Sequence, residues 1–378
     1  MDRASVLIWV GLLLSIIATI LSFSWNNIFD YVIRTELPVS PTSKTYPLWK
    51  ESVVTMDIYL YNWTNPEQLM QRDYKPEIVQ LGPYSFKQIY KKINITWNAN
   101  HTVTYKRVRN WYFDPENSKG NLTDNIVMLN VIPLTASYIV RSWNSFSAFP
   151  VSSGIRMFGK TVWITRTAKQ LLFDGYDDPL LTIATTVPGL SDIHIPEDKV
   201  GWFYNRNGSV NFDGIFNVHT AENDITKMGD VLNWNFADST DFFDGGCSRV
   251  KGSVGDLFPP GQTKDKPLNM FSPDLCRSYQ LDFSEEVEVM GIQGFRYEAS
   301  KTLVDNGTTF PESWCNCDGD CLPVGVFNLS SCRYGIPLFV SYPHFYGADP
   351  IFLNQVKGLN PNAEDHRFYV TLEPVSII

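Results

Sequence analysis

The apolar pattern changes character along the chain. Residues Ala4 to Phe29 carry no charge, and Val6 to Phe23 (VLIWVGLLLSIIATILSF) are almost wholly apolar. About 20 helical residues, rising 1.5 Å each, cross a hydrocarbon core roughly 30 Å thick. The run therefore predicts a membrane-spanning helix. A cleaved signal peptide is the rival reading, but its apolar region usually spans about 7–15 residues and ends in a small-x-small site. Here bulky Phe23, Trp25 and Ile28 follow, and Trp25 sits where an interfacial aromatic anchors a helix end. The expected division is a short cytoplasmic tail at 1–5, a signal anchor at 6–25 and an ectodomain at 26–378 on the far side of the bilayer.

Beyond the anchor the pattern turns strand-like. Pro38, Pro41 and Pro47 interrupt any long helix, so residues from Asn26 to Lys50 read as a linker. Met56 to Trp63 is dense in β-formers and stops at Thr64-Asn65-Pro66. Tyr84–Trp97 and Thr102–Phe113 read as further strands, because Tyr, Ile, Val and Thr suit a pleated, half-buried surface. Helical signals run from about Pro133 to Phe173, where Ile155, Phe158 and Val162 recur at i, i+3 and i+7. Strand-and-turn sequence then resumes to about Tyr346, with no internal repeat and no second apolar run of spanning length. The fold class expected is mixed α+β, rich in β.

Charge and composition narrow the function. The 378 residues hold 31 Lys+Arg against 40 Asp+Glu, a net charge of −9, with 44% hydrophobic and 19% charged residues. That balance excludes a disordered chain and a polybasic nucleic-acid binder. The mean hydropathy of −0.15 excludes a multi-pass transporter. Seven N-x-S/T sequons, at Asn62, Asn94, Asn100, Asn121, Asn207, Asn306 and Asn328, all lie beyond the anchor. So do all six cysteines: Cys247, Cys276, Cys315, Cys317, Cys321 and Cys332. Both features point to a lumenal or extracellular location for the bulk of the chain. An even cysteine count in that compartment implies three disulfides, although six cysteines allow 15 pairings. A zinc site at Cys315-x-Cys317-x3-Cys321-x10-Cys332 is the alternative, disfavoured by the oxidising compartment. Asp318-Gly319-Asp320 suits a tight turn between Cys317 and Cys321 and is too short for a calcium loop.

No catalytic constellation emerges. The histidines, His101, His194, His219, His344 and His366, form no H-E-x-x-H pair. The chain has no G-x-S-x-G elbow and no glycine-rich phosphate cradle or other cofactor motif. Asp177-Asp178 reads as a helix-terminating and turn-shaping pair before Pro179, and His344 as a structural hydrogen-bonding residue. One binding feature follows from charge. Between Val151 and Phe173 lie Arg156, Lys160, Arg166 and Lys169 without an acidic residue. On a helix, Arg156 and Lys160 would share a face. A local positive field of this kind attracts anionic lipid or modified lipoprotein; the plainer reading is a solvated helix face.

Several motifs together carry a family likeness. They begin with Tyr61-Asn62-Trp63-Thr64-Asn65-Pro66 and Leu81-Gly82-Pro83-Tyr84, and continue with Gly175-Tyr176-Asp177-Asp178-Pro179 and Asn207-Gly208-Ser209. Leu275-Cys276-Arg277-Ser278, Ser341-Tyr342-Pro343-His344-Phe345, His366 and Leu372-Glu373-Pro374 complete the series. In this order, and with this cysteine spacing, the chain resembles the class B scavenger receptors, the group that includes fatty acid translocase (platelet glycoprotein IV) and the lysosomal integral membrane protein. The resemblance covers nearly the whole chain. It implies an antiparallel β-barrel-like ectodomain topped by a helical bundle, and a hydrophobic tunnel leading lipid toward the bilayer. It implies the pairings Cys247–Cys315, Cys276–Cys332 and Cys317–Cys321. The first two close loops of more than about 50 residues, each worth about 4 kcal/mol on a chain-entropy account. The family's ligand-docking apex falls on the basic stretch, near Lys160.

Two departures accompany the likeness. The second membrane span of the family is missing, so the chain reads as a C-terminally truncated member. Val250-Lys251-Gly252-Ser253-Val254-Gly255-Asp256 stands where relatives carry an Asn-Gly-Thr-Asp-Gly-like turn. The expectation is a non-enzymatic, membrane-anchored glycoprotein receptor at the plasma membrane, with a lysosomal or endosomal membrane as the alternative. Its expected partners are lipids, fatty acids or lipoprotein particles. A protein cargo and a short isoform of reduced binding are the competing readings.

Overall fold

The computed structural model describes residues 2–141, 143–186, 197–317 and 321–374. His194, the Asp318-Gly319-Asp320 turn and residues 375–378 lie outside them. Helix α1 (Arg3–Glu36) contains the apolar run, and its most apolar window has a mean hydropathy of 2.6. None of its side chains is buried by the rest of the protein. Its 34 residues measure about 51 Å at the standard rise, so it outruns a hydrocarbon core. The linker expected from Asn26 is therefore helical through Glu36. No proline occurs before Pro38 to stop it. Its last turn joins the folded body directly: Ile33 and Leu37 pack on the main core, and Val39 N donates to Thr220 O at 2.9 Å.

A short helix α2 (Thr45–Lys50) leads into β1 (Glu51–Trp63), β2 (Ile78–Asn98) and β3 (Thr102–Phe113). Next come β4 (Asn125–Leu129), α3 (Val131–Val140), α4 (Ser145–Phe158), β5 (Trp163–Thr167) and α5 (Pro179–Thr186). The chain returns to sheet in β6 (Ile215–His219), β7 (Val231–Trp234), β8 (Leu268–Ser272), β9 (Arg277–Val289) and β10 (Ile292–Ala299). It continues through β11 (Val326–Asn328), β12 (Phe339–Ser341), α6 (Pro350–Gln355), α7 (Ala363–His366) and β13 (Tyr369–Leu372). Every ladder is antiparallel. A five-stranded sheet in the order β1-β2-β3-β6-β7 curves as a half-barrel, and a four-stranded sheet runs β13-β10-β9-β8. Two-residue periodicity gives the curved sheet its inner face. Tyr84, Phe86, Gln88 and Lys92 of β2 are buried, beside Val103, Tyr105, Arg107, Arg109 and Trp111 of β3.

The helix expected over Pro133–Phe173 is broken into four pieces. α3 and α4 are separate, Gly159 N closes the last turn of α4 on Ile155 O at 2.8 Å, and Gln170–Asp174 forms a π-helical turn. Between them Trp163–Thr167 is a strand, pairing with Leu129–Asn125. Cross-strand pairing of β-branched and aromatic residues outweighs the helical spacing there. Val162, assigned by that spacing to the helix face with Ile155 and Phe158, instead offers its carbonyl to Asn130 N at 2.8 Å. Asp178 begins rather than ends a helix: its carboxylate accepts from Leu180 N at 2.8 Å at the start of α5.

The largest apolar cluster lies between the two sheets and includes Val103, Tyr105, Phe216, Phe271, Leu303 and Phe327. Disulfides Cys247–Cys315 and Cys276–Cys332 sit inside this cluster, with Cα separations of 6.1 Å and 6.2 Å. Cys317–Cys321 closes a local loop. All six thiols are thereby used, which removes the zinc alternative. A second cluster, built around Tyr84, Phe86, Trp111, Leu172 and Tyr176, joins the curved sheet to the segment carrying α3, α4 and α5.

Candidate functional site

The first candidate site is an apolar cavity at the margin of the main core. Its volume is about 270 Å³, and Leu275, Leu303, Val304, Phe327, Val340 and Phe368 line it, with Arg367 beside them. Two of these positions depend on neighbouring covalent and strand constraints. Leu275 precedes Cys276, which is tied to Cys332, and Phe327 pairs with Val340 in the β11–β12 ladder. Tyr342 also lines the cavity, and burial pushes its phenol well above the usual range. An aliphatic chain entering such a space gains about 0.8 kcal/mol per methylene removed from water. No single motif marks these residues in the sequence: they are scattered hydrophobics from five segments.

The second candidate site is the exposed end of the segment made by α3, α4 and α5. Phe146 and Phe149 of α4 are 91% and 71% exposed, and Met157 and Phe158 are also exposed at its C-terminal end. These side chains were missed by the charge-based reading. Their available signal is the uncharged, aromatic run Ser145-Phe146-Ser147-Ala148-Phe149.

The four predicted basic residues do not form one helical face. Arg156 is exposed on the last turn of α4, whereas Lys160 lies past the helix end and is exposed in a loop. Arg166 is on β5, where its guanidinium lies 4.8 Å from the centre of the Tyr176 ring and donates to Thr165 O at 2.8 Å. Lys169 Nζ is 3.0 Å from Asp174 Oδ2, so a carboxylate just beyond the acid-free stretch compensates its charge. Arg156 and Lys160 thus remain as solvent-facing cations at the exit of α4, next to exposed Met157 and Phe158. Arg166 and Lys169 are instead engaged by Tyr176 and Asp174.

The sequons differ in environment. Asn94, Asn100, Asn121 and Asn207 are exposed, and Asn62 and Asn306 are half-buried. Asn328 is only 2% exposed, and its Nδ2 donates to Cys317 O at 3.2 Å. His344 is a hydrogen-bonding residue: Nδ1 accepts from Asn360 N at 3.1 Å, and Nε2 lies 2.6 Å from Gln80 Oε1. Its ring stacks on His366 with centroids 4.4 Å apart. Among the described residues, no group of three or more His, Cys, Asp or Glu side chains is placed to hold a metal ion.

These features have counterparts among known proteins. The sequence model of the CD36 family matches residues 9–377. Protein peste of Drosophila melanogaster is 36% identical, over 93% of this chain and 63% of its own length. Scavenger receptor class B member 1 of Sus scrofa is 31% identical, over 99% of this chain and 72% of its own length. Lysosome membrane protein 2 of Rattus norvegicus is 29% identical, over 97% of this chain and 75% of its own length. The chain therefore spans about two thirds to three quarters of the length of these relatives. The match runs from the apolar helix through the disulfide-bearing core to the last strand, and the chain belongs to the CD36 family.

Proposed function

We propose that this chain is a membrane-anchored glycoprotein receptor that takes up lipid without covalent chemistry. The single observation carrying this reading is the apolar cavity of about 270 Å³, framed by disulfide-linked segments of the ectodomain. Relatives named as scavenger receptors and a lysosome membrane protein support a receptor at a membrane. In this account α1 anchors the chain, and residues beyond it face the cell exterior at the plasma membrane. The alternative location is the lumen of a lysosome or endosome. Ligand docks on the exposed aromatics Phe146 and Phe149 and on the cations Arg156 and Lys160. An acyl or sterol-like moiety then partitions into the apolar interior, where a hydrophobic tunnel continues the path toward the bilayer. Affinity comes from the area withdrawn from water, and the cations add attraction for anionic lipid or lipoprotein.

The test is mass spectrometry of lipid retained by the purified chain, combined with flotation on vesicles containing anionic lipid. Retained lipid, and flotation lost in an Arg156→Glu/Lys160→Glu variant, is the expected result. A lipid-free protein that floats equally well with or without those charges refutes the reading. A protein recovered in fixed stoichiometry through Phe146 and Phe149 would instead identify a cargo receptor. The exposure of those two rings is the observation that favours this second reading.

A further inference from the structure

Strand β3 carries Arg107 and Arg109 on the inner face of the curved sheet, 6% and 7% exposed. Two carboxylates from distant loops meet them. Asp213, 3% exposed, accepts from Arg107 Nε at 2.8 Å and from Arg109 Nη2. Asp274 accepts from Arg109 Nη1 at 2.9 Å and from Arg206 Nη2. Arg333 Nη2 then donates to the main-chain carbonyl of Asp274. Asp256 also acts on Arg107, but it forms its own ion pair with buried Lys92 at 3.1 Å. Three guanidiniums (Arg107, Arg109 and Arg206) therefore share the carboxylates of Asp213 and Asp274, and a fourth, Arg333, is held by a main-chain carbonyl, leaving local positive charge in excess within a protein of net charge −9.

The excess sits at one end of the network. Arg107 and Arg109 are buried, yet their carboxylate partners outweigh the desolvation and hold both above the usual range. Arg206 and Arg333 are held below it. Burial is the main cause for each; the Asp274 carboxylate offsets it only in part, and the charge of Arg109 repels both. The Arg206 side chain is 13% exposed; its Nη1 donates to Trp202 O at 3.4 Å, and its buried Nε finds no partner among the described residues. Arg333 donates to two main-chain carbonyls, of Cys332 and Asp274, and among the described residues no carboxylate pairs with it. The Phe212 ring lies 3.9 Å from the Arg206 guanidinium and restricts its plane. Solvent reaches this end, because the Asp274 side chain is 41% exposed. A partly buried, undercompensated charge is costly unless an ion of opposite sign completes its shell.

We propose that Arg206 and Arg333 form a binding site for one tetrahedral oxyanion, a sulfate or phosphate ester group borne by a ligand. The planar guanidinium suits this group because its N–H fork meets two oxygens at once, which a point-charge ammonium does not. Neither arginine lines the apolar cavity or belongs to the Arg156 and Lys160 pair, so the site does not depend on the acyl-binding reading. Its ligand is either a sulfated polysaccharide or the headgroup of a phosphate-bearing lipid.

The experiment uses the full chain in detergent. Its unfolding midpoint is followed while sodium sulfate or sodium phosphate replaces sodium chloride at constant ionic strength. A ligand that binds only the native state raises the midpoint along a saturating curve. The expected result is saturation in the millimolar range, with apparent affinity at least about tenfold weaker in Arg333→Gln, intermediate in Arg333→Lys and unchanged in Arg72→Gln, at an exposed loop arginine. Arg333 is the position to vary because its bonds reach only carbonyls, whereas Arg206→Gln would remove one of the two guanidiniums that hold Asp274. General exclusion of sulfate from the protein surface gives a non-saturating rise, equal in all variants, and that outcome overturns the proposal. Two competitors then distinguish the source, a sulfated oligosaccharide and a vesicle containing phosphatidic acid. Displacement of the inorganic ion by one of them, through Arg333, assigns the ligand; displacement by neither overturns a ligand-borne group.

Discussion

Filling the apolar cavity is the sharpest test of how this chain handles lipid. The Val340→Phe substitution adds about four carbons to a side chain that lines the cavity. A cavity of about 270 Å³ corresponds to about 6 kcal/mol of recoverable packing energy at about 24 cal/mol per Å³. At about 0.8 kcal/mol per methylene, the same energy equals about eight buried methylenes. The new ring displaces about four of them, which costs the ligand about 3 kcal/mol, or about a hundredfold in affinity. Stability moves less, because the ring enters existing space instead of overpacking a filled core. The assay is equilibrium binding of a fluorescent long-chain fatty acid to the purified chain. Val79→Phe, on the exposed face of β2, serves as the control. Binding that weakens equally in both variants, or in neither, refutes the cavity as the acyl site. Affinity for a ligand shortened by about four methylenes should differ little between Val340→Phe and the unaltered chain, which separates displacement from unfolding.

Three further outcomes follow from particular residues. Burial pushes the Asp230 carboxyl up to about 6, so its favourable contribution is full below about pH 4 and is lost as pH rises through about 6. Asp230→Asn should therefore stabilise the chain by about 1 kcal/mol at pH 7.5, after allowance for solvent screening, and leave stability at pH 4 unchanged; chemical denaturation at both pH values checks this. Burial, followed by the charge of neighbouring His366, holds His344 below the usual histidine range. The unfolded chain takes up this proton first, so stability falls as pH drops below about 6.5. His344→Gln should flatten that fall, measured as the unfolding midpoint between pH 7.5 and 5. For glycan occupancy, site-resolved mass spectrometry should find Asn94, Asn100 and Asn121 modified and Asn328 bare, because the Asn328 amide is enclosed and bonded to Cys317 O. A glycan on Asn328 in folded protein would contradict the packing around β11.

The sequence by itself determined the long apolar N-terminal helix, because about 20 consecutive uncharged residues are enough to cross a bilayer and a helix satisfies their backbone polar groups internally. It determined the β-rich class through stretches dense in β-forming residues such as Thr102–Phe113, and the ordered motifs were enough to reveal the family. Only the tertiary structure decided the rest. Strand pairing between Trp163–Thr167 and Asn125–Leu129 dissolved a helix that local spacing favoured, since each cross-strand contact depends on a partner nearly 40 residues away. That single rearrangement put Arg166 on a strand, apart from Arg156 at the end of α4. The charge network shows the same limit: Arg107, Asp213, Asp274 and Arg333 are ordinary charged residues in the sequence. Folding brings them from separate loops and strands into one partly buried cluster. Burial and charge balance are sums over neighbours, and distant loops supply those neighbours only once the sheets have closed around them.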